Sequence, residues 1–151
     1  MKKRALPFLL ALLALLVFAI TACTDEKGEE SMENKISVII GETKLTATLA
    51  ENAAATALAE RVKESPITIG MSDYGGWEKV GSFGFDLPTS DEQITTNPCE
   101  FVLYQGDQLV IFYGSNRWSY TQLGKIDSVT QAELAEILGS GDVTVTLAPA
   151  E

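Results

Sequence analysis

Residues 71–88, MSDYGGWEKVGSFGFDLP, and residues 103–126, LYQGDQLVIFYGSNRWSYTQLGKI, decide the fold of this chain. Met71 to Ile126 hold both tryptophans and all four tyrosines, with glycines at short intervals. Short apolar runs punctuated by glycine read as strands joined by tight turns. Asp73 to Trp77 reads as a glycine-rich turn, and Glu78 to Phe83 as extended chain. In such a turn Asp73 can bond backbone amides while the glycines take positive φ. Phe101 to Tyr104 and Leu109 to Tyr113 are strands of continuous apolar character, joined through Gln105-Gly106-Asp107-Gln108. Strands apolar on both faces need cover on both sides, a core within and a helix or aromatic shelf without.

Working outward, Lys35–Ile40 and Thr43–Leu49 alternate and pair as a hairpin about Gly41-Glu42. Asn52 starts a helix whose apolar stripe is Ala54, Leu58 and Val62, closed by Pro66. Ile67, Ile69 and Met71 make the next strand, and Phe83 to Glu100 reads as loop, punctuated by Pro88 and Pro98. A second helix is marked by Thr130 with Glu133 three residues on, by Val129 as a staple to Leu134, and by Gly139 at its end. Val143, Val145 and Leu147 form a last alternating strand able to pair with the first. This order suits one mainly β domain with two short helices. The pattern alone leaves a closed barrel and a sandwich both open.

The two aromatic blocks resemble the bacterial cyclophilin-like domain family, a small closed β-barrel related in fold to peptidyl-prolyl isomerases. The resemblance runs from about Lys35 to Leu147 and implies a closed cyclophilin-like β-barrel with two short α-helices over residues 35–148. In true cyclophilins an arginine, in a Phe-His-Arg run on the strand after the first helix, stabilises the twisted amide beside an apolar proline pocket. The corresponding stretch here is PITIGMSDYGG, residues 66–76, without Phe, His or Arg. Arg117, in a turn after Phe112-Tyr113-Gly114, is the remaining candidate, and a divergent prolyl isomerase using it is the enzymatic alternative. Without a cation in the groove, the electrostatic contribution to catalysis is lost. The resemblance also implies a flavodoxin-like partner, since such proteins are often encoded beside, or joined to, this family. No residue pattern marks an FMN site, and no cofactor is expected.

Lys2, Lys3 and Arg4 precede an almost wholly apolar run, Leu9 to Ile20, which reads as a signal peptide over residues 1–22. Ile20-Thr21-Ala22-Cys23 looks like a bacterial lipobox, making Cys23 the lipidated new N-terminus. Two or more acyl chains hold a protein stably without a spanning segment. Residues 23–34 carry that cysteine and an acidic tether (Asp25, Glu26, Glu29, Glu30, Glu33). The expected place is extracytoplasmic, anchored to the cell membrane. An acidic run after the lipidated cysteine also suits a sorting signal to the outer surface.

The chain carries −10, and removing the three cations of the leader leaves −13. With Arg61 and Arg117 its only arginines after the leader, it lacks the basic stripe that nucleic-acid binding needs. Histidine is absent, which excludes His triads, His–Cys dyads and histidine metal sites. Cys99 is the one thiol left after Cys23 and reads as a buried small residue. Asp86 and Asp91 show no spacing that demands acid–base work, and Gly81-Ser82-Phe83-Gly84 lacks the lysine and helix of a phosphate loop.

The leading function is a binding module for a peptide, protein or small ligand in an aromatic groove. Asn116, Trp118 and Tyr120 alternate and would share one strand face. An amide beside aromatic rings suits peptide or flat-ring binding. Tyr74, Trp77 and Tyr113 complete the expected surface. Glu78 and Lys79 lie in the family-like block and read equally as an exposed salt-bridging pair.

Overall fold

A computed structural model describes residues 34–151; the leader, Cys23 and the tether before Asn34 lie outside the described residues. β1 (Lys35–Ile40) and β2 (Thr43–Leu49) form the expected hairpin, with Gly41 at φ 59° in its turn. α1 (Ala53–Glu64) begins at Asn52, whose Oδ1 accepts from the Ala55 amide at 2.9 Å. It buries Ala54, Ala55, Leu58 and Val62 and ends two residues before Pro66, with Ser65 as its cap. There follow β3 (Ile67–Tyr74), β4 (Glu78–Ser82), β5 (Glu92–Thr95), β6 (Glu100–Tyr104), β7 (Gln108–Phe112) and β8 (Arg117–Ile126). α2 (Gln131–Leu138) carries the reciprocal cap that its sequence predicts. The Glu133 amide donates to Thr130 Oγ1 at 3.3 Å and the Thr130 amide donates to Glu133 Oε2 at 2.8 Å. β9 (Val143–Pro149) completes the chain.

All strand pairs are antiparallel, in the order β2-β1-β9-β3-β4-β7-β6-β8, and β2 pairs with β8 again to close an eight-strand barrel. The last strand does pair with the first, inserted between β1 and β3. Closure removes the unpaired edges that an open sheet would expose. At the seam Leu49 faces Gly124, where a Cβ would lie 2.3 Å from the Thr48 carbonyl oxygen and 2.7 Å from the Phe101 ring. Only glycine lets β2 and β8 approach this closely.

One core fills the barrel and takes in both helices, with Val38, Ile69, Phe101, Leu103, Ile111 and Leu123 among its members and Leu58, Leu134 and Leu138 from α1 and α2. A second, smaller cluster lies on the other face of β6, β7 and β8: Val102, Val110, Phe112 and Tyr120, with Val80, Ile94 and Tyr104 against them. The two-sided apolar character of β6 and β7 therefore has the expected cause, an aromatic shelf outside the barrel.

Three readings of the sequence need correction. The stretch read as loop between Phe83 and Glu100 contains β5, which pairs with the first half of β8 from Glu92↔Tyr120 to Thr95↔Arg117. A single apolar residue, Ile94, gives β5 no detectable period; its partner strand makes it a strand. Asp73 and Tyr74 belong to β3, paired with Lys79 and Glu78, so the turn is confined to residues 75–77. Glu78 and Lys79 are not an exposed pair: both are buried, on opposite faces of β4.

Lys79, with 0 % of its surface exposed, points inward. Its Nζ donates to the carbonyl oxygens of Gly139 at 2.9 Å and Gly141 at 2.6 Å, and pairs with Asp73 Oδ1 at 3.0 Å. An ammonium has three donors, and these three acceptors satisfy them. The last turn of α2 has no basic residue of its own, so β4 supplies the cation that complements the helix C-terminus. Lys79→Met should lower stability by about 2 kcal/mol, because the Gly139 and Gly141 carbonyls and the Asp73 carboxylate lose their shared donor. Urea unfolding checks this, with hydrogen exchange at residues 131–141 expected to rise first.

Candidate functional site

The outer aromatic shelf floors a cleft of about 420 Å³, within the roughly 300–1,000 Å³ usual for small-ligand sites. Its walls follow from strand alternation: Glu78 and Val80 from β4, Gln108 and Val110 from β7, Tyr104 from β6, Trp118 and Tyr120 from the start of β8, and Asn116 immediately before it. Tyr74, at the end of β3, closes one side. Successive members on β4 and β7 are two residues apart, so their neighbours Lys79, Leu109 and Ile111 face the barrel interior while these serve the cleft.

The rings differ in their freedom. Tyr120 is buried, edge-on to Tyr104 at 5.9 Å and to Phe112 at 5.7 Å between centroids. Its hydroxyl accepts from Asn116 Nδ2 at 3.2 Å, and burial first, then the charge of Glu78, pushes its pKa to about 12. Trp118 and Tyr74 are 55 % and 62 % exposed at the mouth. Asn116 is fixed from below by buried Thr96: the Asn116 amide donates to Thr96 Oγ1 at 3.0 Å and its carbonyl accepts the Thr96 amide at 2.8 Å. Thr96, the residue that follows β5, thus positions the site although it lends no side chain to it.

Glu78 is the charged wall of the cleft, yet only 5 % exposed. Its Oε2 meets no hydrogen-bond donor of the protein, alone in this among buried side-chain oxygens and nitrogens of the described residues. Burial raises its pKa, while the side chains of Asn116 and Trp77 favour the charged form and limit the rise. Lys79 beside it is turned to the barrel interior and engaged by Asp73 and two carbonyls.

Of the residues expected from sequence, the structure brings Tyr74, Asn116, Trp118 and Tyr120 together in this cleft. Trp77 and Tyr113 do not line it. Trp77 lies edge-on to Tyr74 at 6.3 Å and covers Gly75, where a Cβ would fall 2.3 Å from the indole. Gly75 takes φ 64°, so glycine serves both the turn and the ring above it. The Tyr113 hydroxyl donates to Asp73, which holds the Asp73 carboxyl below its usual range, with Lys79 adding to the effect. Arg117 is exposed, out of phase with Asn116 and Trp118, and does not line the cleft. Sequence reasoning missed Glu78, Val80, Tyr104, Gln108 and Val110. Tyr104 and Gln108 flank the Gln105-Gly106-Asp107 turn and pair with each other, a signal that was legible in the hairpin. Cys99 is buried, and burial raises its thiol pKa, so it fits the expected structural role. Among the described residues no three Cys, Asp or Glu side chains are placed to hold a metal ion.

A profile of the cyclophilin-like family matches residues 38–148. No curated protein matches the chain. The solution structure of a hypothetical protein from Archaeoglobus fulgidus is similar, with a TM-score of 0.60 at 12 % identity, covering 82 % of this chain and 99 % of that one. At that identity the likeness is one of fold.

Ionised Glu78 is a cost to the folded state. Its raised pKa means that this cost is absent below the unfolded value and grows as pH rises through the folded one. Glu78→Gln should therefore be more stable than the parent by about 1 kcal/mol at pH 8, converging with it below about pH 4. Urea midpoints measured across pH check the sign.

Proposed function

The chain belongs to the cyclophilin-like family, and from that premise we propose that it is a lipid-anchored, extracytoplasmic binding module whose ligand occupies the Trp118–Tyr120 cleft. The observation that carries this reading is the cleft itself. Four aromatic rings and two side-chain amides converge with a buried carboxyl on the barrel's outer face. Trp118 and Tyr74 offer large ring faces at its mouth, and aromatic faces give contact area at low entropic cost.

The isomerase alternative needs a cation facing the bound amide. Arg117 is out of phase with the cleft, and among the described residues no lysine or arginine lines it. A proline ring would find aromatic walls but a carboxyl where the electrophile belongs. This favours binding over catalysis.

The anchoring part of the reading rests on the basic leader, its apolar run and the Thr21-Ala22-Cys23 junction. The acidic tether would then carry the barrel clear of the bilayer.

Ligand-observed NMR on the full chain in detergent, screening short peptides and small amines, acids and aromatics, tests the cleft. Hits should weaken tenfold or more in Trp118→Ala; hits indifferent to that change would place the site elsewhere. Acceleration of proline isomerisation that vanishes in Arg117→Ala would instead make the protein an enzyme. For the anchor, Cys23→Ser expressed in a bacterium should lose fatty-acid labelling and leave the membrane fraction. Unchanged labelling and fractionation would refute lipidation at Cys23.

A further inference from the structure

We infer that the cleft takes an organic ammonium group, whose N–H donates to Glu78 Oε2 while its alkyl portion lies against Trp118, Tyr74 and Tyr120; this rests on the binding reading above. Three observations converge on that chemistry. First, Glu78 is 5 % exposed and lines the cleft, and its Oε2 has no donor among the described residues. A buried carboxylate oxygen without a partner is unfavourable, so a ligand that brings an N–H and a positive charge is selected over one that brings neither.

Second, the protein's own cations are withheld from it. Lys79 is the adjacent residue, but its three donors go to Gly139, Gly141 and Asp73 on the other face of β4. Arg117 lies beside the cleft in sequence and outside it in space. Among the described residues the carboxyl is therefore not half of an ion pair.

Third, the remaining walls suit a cation and not an anion. Aromatic faces attract ammonium groups through their quadrupole, and Tyr74, Tyr104, Trp118 and Tyr120 all line the cleft. A net charge of −10 over the whole chain adds a long-range field of the same sense. An anionic ligand would meet Glu78 with no compensating cation. A quaternary ammonium would satisfy the rings but leave Oε2 without a donor, so an N–H-bearing ammonium is the class assigned.

Such a group is found on a small free amine and on a lysine side chain. The test is calorimetric titration of the full chain in nonionic detergent with n-butylammonium, n-butyramide, n-butyrate and tetramethylammonium at fixed ionic strength. The expected result is that butylammonium binds at least tenfold more tightly than butyramide or butyrate. Glu78→Gln should abolish that preference, and Trp118→Phe should keep it. Nα-acetyl-lysine methylamide separates the sources: binding tighter than butylammonium supports a lysine side chain of a peptide, and weaker binding supports a free amine. Equal binding of butylammonium and butyramide, unchanged in Glu78→Gln, would overturn the cation assignment and leave cleft binding intact. Tetramethylammonium bound more tightly than butylammonium would overturn the role given to Oε2. If no probe shifts the Trp118 indole resonance by NMR, the assignment falls and the cleft loses its support as the binding site.

Discussion

The buried ammonium of Lys79 sets the order of everything around it. Reaching the Gly139 and Gly141 carbonyls and the Asp73 carboxylate, it joins three parts of the chain: β4, the end of β3, and the segment between α2 and β9. Bringing a lysine out of water is costly unless all its donors are met, so the position tolerates little displacement. Because strand side chains alternate, Lys79 pointing inward obliges Glu78 to point outward. The interaction that secures the second helix thereby places in the cleft a carboxyl with one oxygen unpartnered.

The cleft depends equally on the double use of β6 and β7. Phe101, Leu103, Leu109 and Ile111 fill the barrel, while Val102, Val110 and Phe112 build a second cluster on the outer face. That outer cluster is capped by Tyr120 and Tyr104, and β5 extends its flank through β8. A soluble barrel needs only its interior to be apolar. An additional apolar layer outside, walled by polar groups and open to solvent, is the arrangement usual for a small-ligand site. Its floor is held by backbone pairing and by the packing of Tyr120 on Tyr104 and Phe112, and Asn116 by its bonds to Thr96, so these groups are in place before any ligand arrives. Preorganisation of that kind reduces the ordering cost of binding.

Family membership places the chain on a barrel that elsewhere supports isomerases, but fold alone does not carry activity. What distinguishes this cleft is the sign of its charge. Catalysis of amide twisting calls for positive charge near the substrate carbonyl, whereas this wall offers a carboxyl in a low-dielectric setting. The solved relative shares the barrel at 12 % identity, which shows how little of the side-chain set the fold itself requires.

Much of this architecture was legible along the chain because it is written in local contacts. The β1–β2 hairpin, the Asn52 and Thr130 caps and the two-faced strands β6 and β7 each rest on residues a few positions apart, where period and capping chemistry act directly. The shared face of Asn116, Trp118 and Tyr120 likewise follows from two-residue alternation, and the structure places all three in one cleft. Other features depended on partners far along the chain. β5 is a strand only because β8 lies beside it, and Tyr104 meets Tyr120 only once β6 and β8 pair. Tyr113 is drawn away from the aromatic set by Asp73, forty residues earlier. Above all, sequence could not tell which of Glu78 and Lys79 would face the core. A strand's pattern gives two faces but not their assignment, and here the carbonyls just after α2, some sixty residues away, decided it.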